Sequence, residues 1–351
     1  MKLHLLVVTA GFLAVAFLPT AAAAQAKPSD QQKKLKVFIL MGQSNMVGMG
    51  DLGPDAQPGT LGHLTKTGKR YPFLLDAAGG WKARDDVYYY DARVKKGAPL
   101  SALANNGRSI GPELGFGHVM GELFDAPVLI LKSCIGNRSL GWDLLPPGSE
   151  RFEAEVTERG AKVKKTFAGY QDTPDAWVEG QPKKEVNWYA GKQYDDDMTN
   201  AKACLADLAN TCPGYAGQGF EIVGFVWWQG HKDQNEVHAA RYEQNLARLI
   251  PTLRRDYEAP DAKFVLATIA FGGWALAGPG KVIAAAQLAI ADPNKHPEFA
   301  GNVQAVEARD LWREVAVSPK NQGHHYNRNA ETYMEVGLRL GAAMADLLGR
   351  K

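Results

Sequence analysis

Short, continuous apolar runs alternate with helical patterns along most of the chain. Residues 35–40 (Leu-Lys-Val-Phe-Ile-Leu) read as a first strand, 87–90 as a second and 127–131 as a third. Further runs at 220–228, 264–269 and 303–306 have the same β-branched, apolar character. Between them, Ile110-Gly111-Pro112 opens a helical stretch to about Leu123, with proline where a first turn tolerates it. Residues 239–257 form a strongly amphipathic helix stopped by Pro260, 282–290 read as helix, and 330–348 close the chain as another. Strands apolar throughout are covered on both faces. The pattern therefore predicts an α/β protein with a mostly parallel sheet, right-handed crossovers and a site at the carboxyl ends of the strands.

Two stretches break this rhythm. From about Trp142 to Ala203 the chain is polar, with scattered aromatics (Phe152, Tyr170, Trp177, Trp188, Tyr189, Tyr194). It reads as an insertion over the sheet edge, either a solvated loop with a helix or a substrate-binding lid. At the start, Lys2 is followed by a nearly unbroken apolar run over 3–18, Pro19 and the small residues of 21–26. That is the pattern of a signal peptide over 1–24, too short to span a bilayer, followed by a flexible segment at 25–34 and a single domain over 35–351. An exported protein, secreted or periplasmic, with no membrane span is expected.

Composition narrows the partners. The 351 residues carry 40 Lys+Arg against 38 Asp+Glu, a formal net charge of +2, and 45% are hydrophobic. Disorder is excluded by the apolar content, and a polybasic nucleic-acid surface by the charge balance. Of the three cysteines, Cys204 and Cys212 are spaced to close a small loop, while Cys134 reads as a buried free thiol. No Cys or His cluster has zinc spacing, and adjacent His324 and His325 do not both face one metal.

Four segments after strands or before the last helix carry candidate chemistry. Gly42-Gln43-Ser44-Asn45 follows the first strand, where a serine on a strand-to-helix turn projects its hydroxyl at the sheet edge; it is not a G-x-S-x-G elbow. Gly136-Asn137-Arg138-Ser139 follows the third strand, and Gly136 can aim its N–H into a site. Trp228-Gln229-Gly230-His231 ends the fourth, with an amide suited to an oxyanion. Gly323-His324-His325-Tyr326-Asn327 offers an imidazole able to deprotonate a hydroxyl. Each alone reads as readily as a polar turn or a helix cap; together they supply nucleophile, oxyanion donors and base.

These blocks resemble the SGNH-hydrolase superfamily, in the branch of sialate O-acetylesterase-like domains and acetylxylan esterases. Gly42-Gln43-Ser44-Asn45-Met46 with Gly48, Ile110-Gly111-Pro112-Glu113 with Lys132-Ser133, and Trp227-Trp228-Gln229-Gly230 carry the likeness. The resemblance implies a three-layer α/β/α, flavodoxin-like fold and a serine esterase without metal or organic cofactor, acting on acetylated carbohydrate. Ser44 would be the nucleophile and His325 the base. The N–H groups of Ser44 and Gly136 and the Gln229 side chain would form the oxyanion hole. Gln43, Asn137, Arg138, Trp142 and His231 are the expected substrate contacts. The chain departs from the pattern three times. Asn137 stands where the second Gly of a Gly-Gly-x-Ser-Leu block is expected, His231 where Glu is expected, and Gln322 where the triad Asp is expected. Asp310 is the candidate replacement acid and Asp233 a second; His324 is the alternative base. A non-catalytic carbohydrate-binding protein and a hydrolase of another ester class remain competing readings.

Overall fold

The computed structural model describes residues 33–350; the expected signal peptide at 1–24 lies outside them, as does most of the segment 25–34. The central sheet has seven strands. In chain order they are β1 (Leu35–Gly42), β2 (Val87–Asp91), β3 (Lys96–Pro99), β4 (Val128–Lys132), β5 (Phe220–Trp228), β6 (Lys263–Ala267) and β7 (Val303–Val306). Their spatial order is β7-β6-β5-β1-β4-β2-β3, parallel except for the edge strand β3.

Alternation along the strands builds the two outer layers. Val37, Ile39 and Met41 face one side with Phe225, Trp227, Phe264 and Leu266. There they meet helices α2 (Lys192–Ala206), α3 (Glu236–Asp256) and α4 (Gly278–Ala289). Phe38 and Leu40 face the other side with Ile130, Val226 and Val265, under α1 (Glu113–Leu123) and α5 (Ala330–Leu347). Both sets of strand residues are fully buried, which is why the strands read as unbroken apolar runs rather than as alternating ones. The fold is thus the expected three-layer α/β/α arrangement.

The polar stretch is more structured than its composition implied. Phe152–Glu158 and Ala161–Phe167 form an antiparallel hairpin, joined by the short strand Ala176–Trp177. Glu153–Lys164 and Glu155–Lys162 ion pairs lace one face, while on the other Phe152 stacks on Phe167 and Glu158 pairs with Lys165. Residues 192–206 do not lie in a loop over the sheet edge. They form α2, which buries Tyr194, Met198, Ala201 and Cys204 against the sheet. All three cysteines are buried free thiols; no disulfide joins Cys204 to Cys212, whose neighbourhood is instead tied by a Cys204–Thr211 contact.

Candidate active site

The site lies at the carboxyl edge of the two middle strands, where the spatial order of the sheet reverses. The close approach of β1 to β5 demands glycine at the end of β1: a Cβ on Gly42 would sit 2.3 Å from the Trp228 carbonyl oxygen. The chain then turns through Gln43 into one helical turn, Ser44–Val47, which aims Ser44 out of the sheet edge.

That turn is braced from below. Lys132, fully buried at the end of β4, donates to the carboxylate of Glu113 at 2.7 Å and to the Val47 carbonyl at 3.0 Å. The other Glu113 oxygen accepts the Gly111 N–H. A buried ion pair with satisfied partners is costly to break from one side. Sequence reasoning quoted Glu113 and Lys132 but gave them no role. Their signal was a lysine ending an apolar strand and an acid opening an apolar helix, charges with no reason to be there unless they meet.

The opposing segment, Gly323–Arg328, is irregular. Tyr326, Asn327 and Arg328 all have positive φ, between 50° and 57°. Three successive non-glycine residues in this region hold only where surroundings impose them. Here Tyr326 is stacked on Trp228 with ring centroids 5.1 Å apart and accepts the Ala270 N–H through its hydroxyl. Asn327 accepts from Gln322 N and donates to the Arg313 carbonyl. Arg328 pairs with Asp51. Asn45 links the two segments: it donates to the His324 carbonyl and accepts from the Tyr333 hydroxyl, which also reaches the His325 carbonyl.

The result is a contact between residues 281 positions apart: His325 Nε2 lies 2.9 Å from Ser44 Oγ. The imidazole is depressed to about 4, first by burial and then by the neighbouring His324, His231 and Arg328 charges. It is neutral over most of the working pH range and fit to accept a proton. Its Nδ1 is buried and has no partner among the described residues.

Among the described residues no carboxylate bonds that ring. Asp310 is not brought to it: both Asp310 oxygens pair with Arg339, at 2.8 and 2.6 Å, on the outer side of α5. Arg339 holds the Asp310 carboxyl below its ordinary range. Asp233 is buried beneath the 139–141 turn, accepting the N–H groups of Leu140 and Gly141 at 2.8 and 2.7 Å. The Gln322 side chain lies beside the His324 ring, its amide 3.5 Å away, while only its backbone carbonyl meets His325, accepting that residue's N–H.

The other expected residues divide into two groups. Gly136 packs against Ser44: a Cβ there would stand 3.4 Å from Ser44 Cβ. Neither the Gly136 nor the Ser44 N–H has an intramolecular acceptor among the described residues. The Gln229 amide, in contrast, is occupied. Its Nε2 faces the Arg138 carbonyl at 2.8 Å, Asp233 at 2.6 Å and Gln43 Oε1 at 3.1 Å, while its Oε1 accepts from Tyr242. Gln229 locks the turns that carry Gly136 and His231 and has no free donor. Gln43 Oε1 also takes the Gly230 and Lys232 N–H groups.

His231 and His324 stack with centroids 5.3 Å apart, and His324 in turn contacts His325 at 4.2 Å. Burial and the His324 charge lower the His231 pKa. Among the described residues no three His, Cys, Asp or Glu side chains converge to hold a metal ion. Asn137 is exposed on a left-handed turn, and Arg138 stacks over Trp188 while bonding Gln193. Trp142 packs instead on a small separate cluster of Leu145, Ala168, Trp177 and Ala190.

A family model described as "Carbohydrate esterase, sialic acid-specific acetylesterase" matches residues 34–171 and 175–346. No curated protein matches the chain. Among solved structures, a protein from Arabidopsis thaliana is similar at TM-score 0.52 and 17% identity, covering 90% of this chain and 99% of that one. A carbohydrate acetylesterase from Xanthomonas citri gives 0.44 and 15%, over 89% of this chain and 56% of its own. The protein NanS gives 0.45 and 14%, over 91% and 99%. At 17% identity the likeness to the Arabidopsis thaliana protein is one of fold.

Proposed function

The chain belongs to the family of carbohydrate esterases described as sialic acid-specific acetylesterases and is a carbohydrate acetylesterase; we propose that it works through a Ser44–His325 dyad with no triad carboxylate. The observation that carries this reading is the 2.9 Å contact between His325 Nε2 and Ser44 Oγ. With its proton on Nδ1, the His325 ring accepts the Ser44 hydroxyl proton at Nε2 as Oγ attacks the acetyl carbonyl. The tetrahedral oxyanion is received by the N–H groups of Ser44 and Gly136. As the tetrahedral intermediate collapses, the bond between the acetyl carbon and the sugar oxygen breaks, and His325 gives its proton to that oxygen, so that the sugar leaves as an alcohol. Water then attacks the acetyl-Ser44 ester with the same base, releasing acetate and restoring the serine.

Without a carboxylate against Nδ1, the imidazolium formed during attack is stabilised less than in a full triad. Gln229 acts by positioning rather than as an oxyanion donor, since its N–H groups have internal acceptors. Sugar contacts are assigned to His231 and His324, whose rings adjoin that of His325, and to Asn137 and Arg138, which follow Gly136 in the chain.

Export belongs to the same proposal. It rests on the apolar run at 3–18 and the small residues at 21–26. Among the described residues no helix is long and apolar enough to cross a membrane.

The test is acetate release from a panel of O-acetylated sugars, comparing wild type with Ser44→Ala. Release that disappears in the variant, with its circular dichroism unchanged, is expected. Undiminished release in the folded variant would overturn the dyad.

A further inference from the structure

Outside the catalytic edge, α3 carries two arginines two helical turns apart, Arg241 and Arg248, on one face. Both line a partly open cavity of about 190 Å³ between α3 and the segment that leads into the hairpin. Such cations normally find carboxylates. Arg84, Arg151, Arg309 and Arg339 all do so here. Arg241 and Arg248 do not, among the described residues. The Arg241 guanidinium lies over the Phe152 ring, 4.3 Å from its centroid, and its Nε is buried with no partner. Burial and the adjacent Arg248 charge both work against the Arg241 cation. Asn245, a buried side chain, lines the same cavity, as does Arg151, whose charge is already taken by Asp172. One carboxylate, the exposed Glu150, is also in the lining, so two uncompensated cations face one acid.

A half-buried Arg241 guanidinium with no carboxylate partner among the described residues is unfavourable without a counter-charge when a second cation, the exposed Arg248, lines the same cavity. An oxyanion between them would supply several charge-assisted hydrogen bonds at once, and guanidiniums match its geometry. We propose that this cavity is a binding site for an oxyanion, a sulfate or carboxylate group, either free or borne on an acidic sugar. Arg241 and Arg248 clamp it and the Asn245 amide completes the shell. The site is separate from Ser44 and His325 and does not depend on how they act.

The test uses the full mature chain carrying Ser44→Ala, so that hydrolysis plays no part. Calorimetric titrations at low ionic strength compare sodium sulfate, glucuronic acid and, as a neutral control, glucose. Saturable binding of sulfate or glucuronic acid, but not of glucose, is expected. Arg248→Gln, an exposed position that leaves packing alone, should weaken that binding by about tenfold or more, and Arg241→Gln by at least as much. Tighter binding of glucuronic acid than of sulfate identifies the anion as sugar-borne; the reverse identifies a free inorganic anion. No saturable binding of either anion, or equal affinity in wild type and both arginine variants, would overturn the site.

Discussion

The two halves of the active site are built by opposite means. The Ser44 side stands on the middle of a parallel sheet and is buttressed by buried polar groups that bond one another: Lys132 to Glu113 and Val47, Asp233 to the 139–141 turn, and Gln229 to its neighbours, although Gln43 Nε2 is left without a partner among the described residues. The His325 side is a strained irregular turn clamped by aromatic stacking on Trp228, and its base has a buried nitrogen with no partner among the described residues. A nucleophile must be aimed, and a rigid sheet edge does that. A base need only be neutral and close, and a desolvated imidazole among other imidazoles meets that requirement without a carboxylate.

The largest effects should come from removing either member of the dyad. Ser44→Ala and His325→Ala should each lower kcat on a small acetyl ester by about 10³-fold or more, with near-native thermal unfolding. Loss in one variant and not the other would separate the two halves and break the comparison.

Next in size is the brace. Glu113→Gln leaves the Lys132 charge buried without its counter-ion, and urea unfolding should register a destabilisation of about 3–5 kcal/mol. A change under about 1 kcal/mol would mean that the buried pair does not support the Ser44 turn.

The base makes a prediction about pH. Because the His325 pKa is depressed to about 4 from an ordinary 6.5, the neutral form persists as pH falls. The acid limb of kcat/KM should therefore lie near 4, and most activity should survive at about pH 5. An acid limb at the ordinary imidazole value would indicate a counter-charge near the ring that the geometry lacks.

The smallest effect should be at Asp310. With its carboxylate paired to Arg339, Asp310→Asn should change kcat by less than about twofold, whereas removing a triad acid costs orders of magnitude. A large loss would restore Asp310 to the catalytic machinery.

These contrasts follow what the sequence makes visible. The runs at 35–40, 127–131 and 220–228 are legible because both faces of those strands are buried, leaving no polar alternation to confuse. The hairpin at 152–167 is not, because its charged residues pair across strands on a solvated face and resemble a loop in one dimension. Helix α2 is hidden in the same way: Asp195, Asp196 and Asp197 mask the narrow buried stripe of Tyr194, Met198 and Ala201. At the site, Ser44 and His325 stand out because each sits where a strand ends or a helix begins. The acid does not, since a carboxylate's partner is decided by tertiary packing. Asp310 follows the last strand in sequence, yet Arg339, one helix later, reaches it instead.

The most direct test of the dyad is to trap the covalent intermediate. Rapid acid quench of the enzyme with an excess of an activated acetyl ester, followed by peptide mass mapping, should find one acetyl group on the peptide containing Ser44 and none in His325→Ala. An acetyl group on another residue, or equal labelling of Ser44 without His325, would contradict the account.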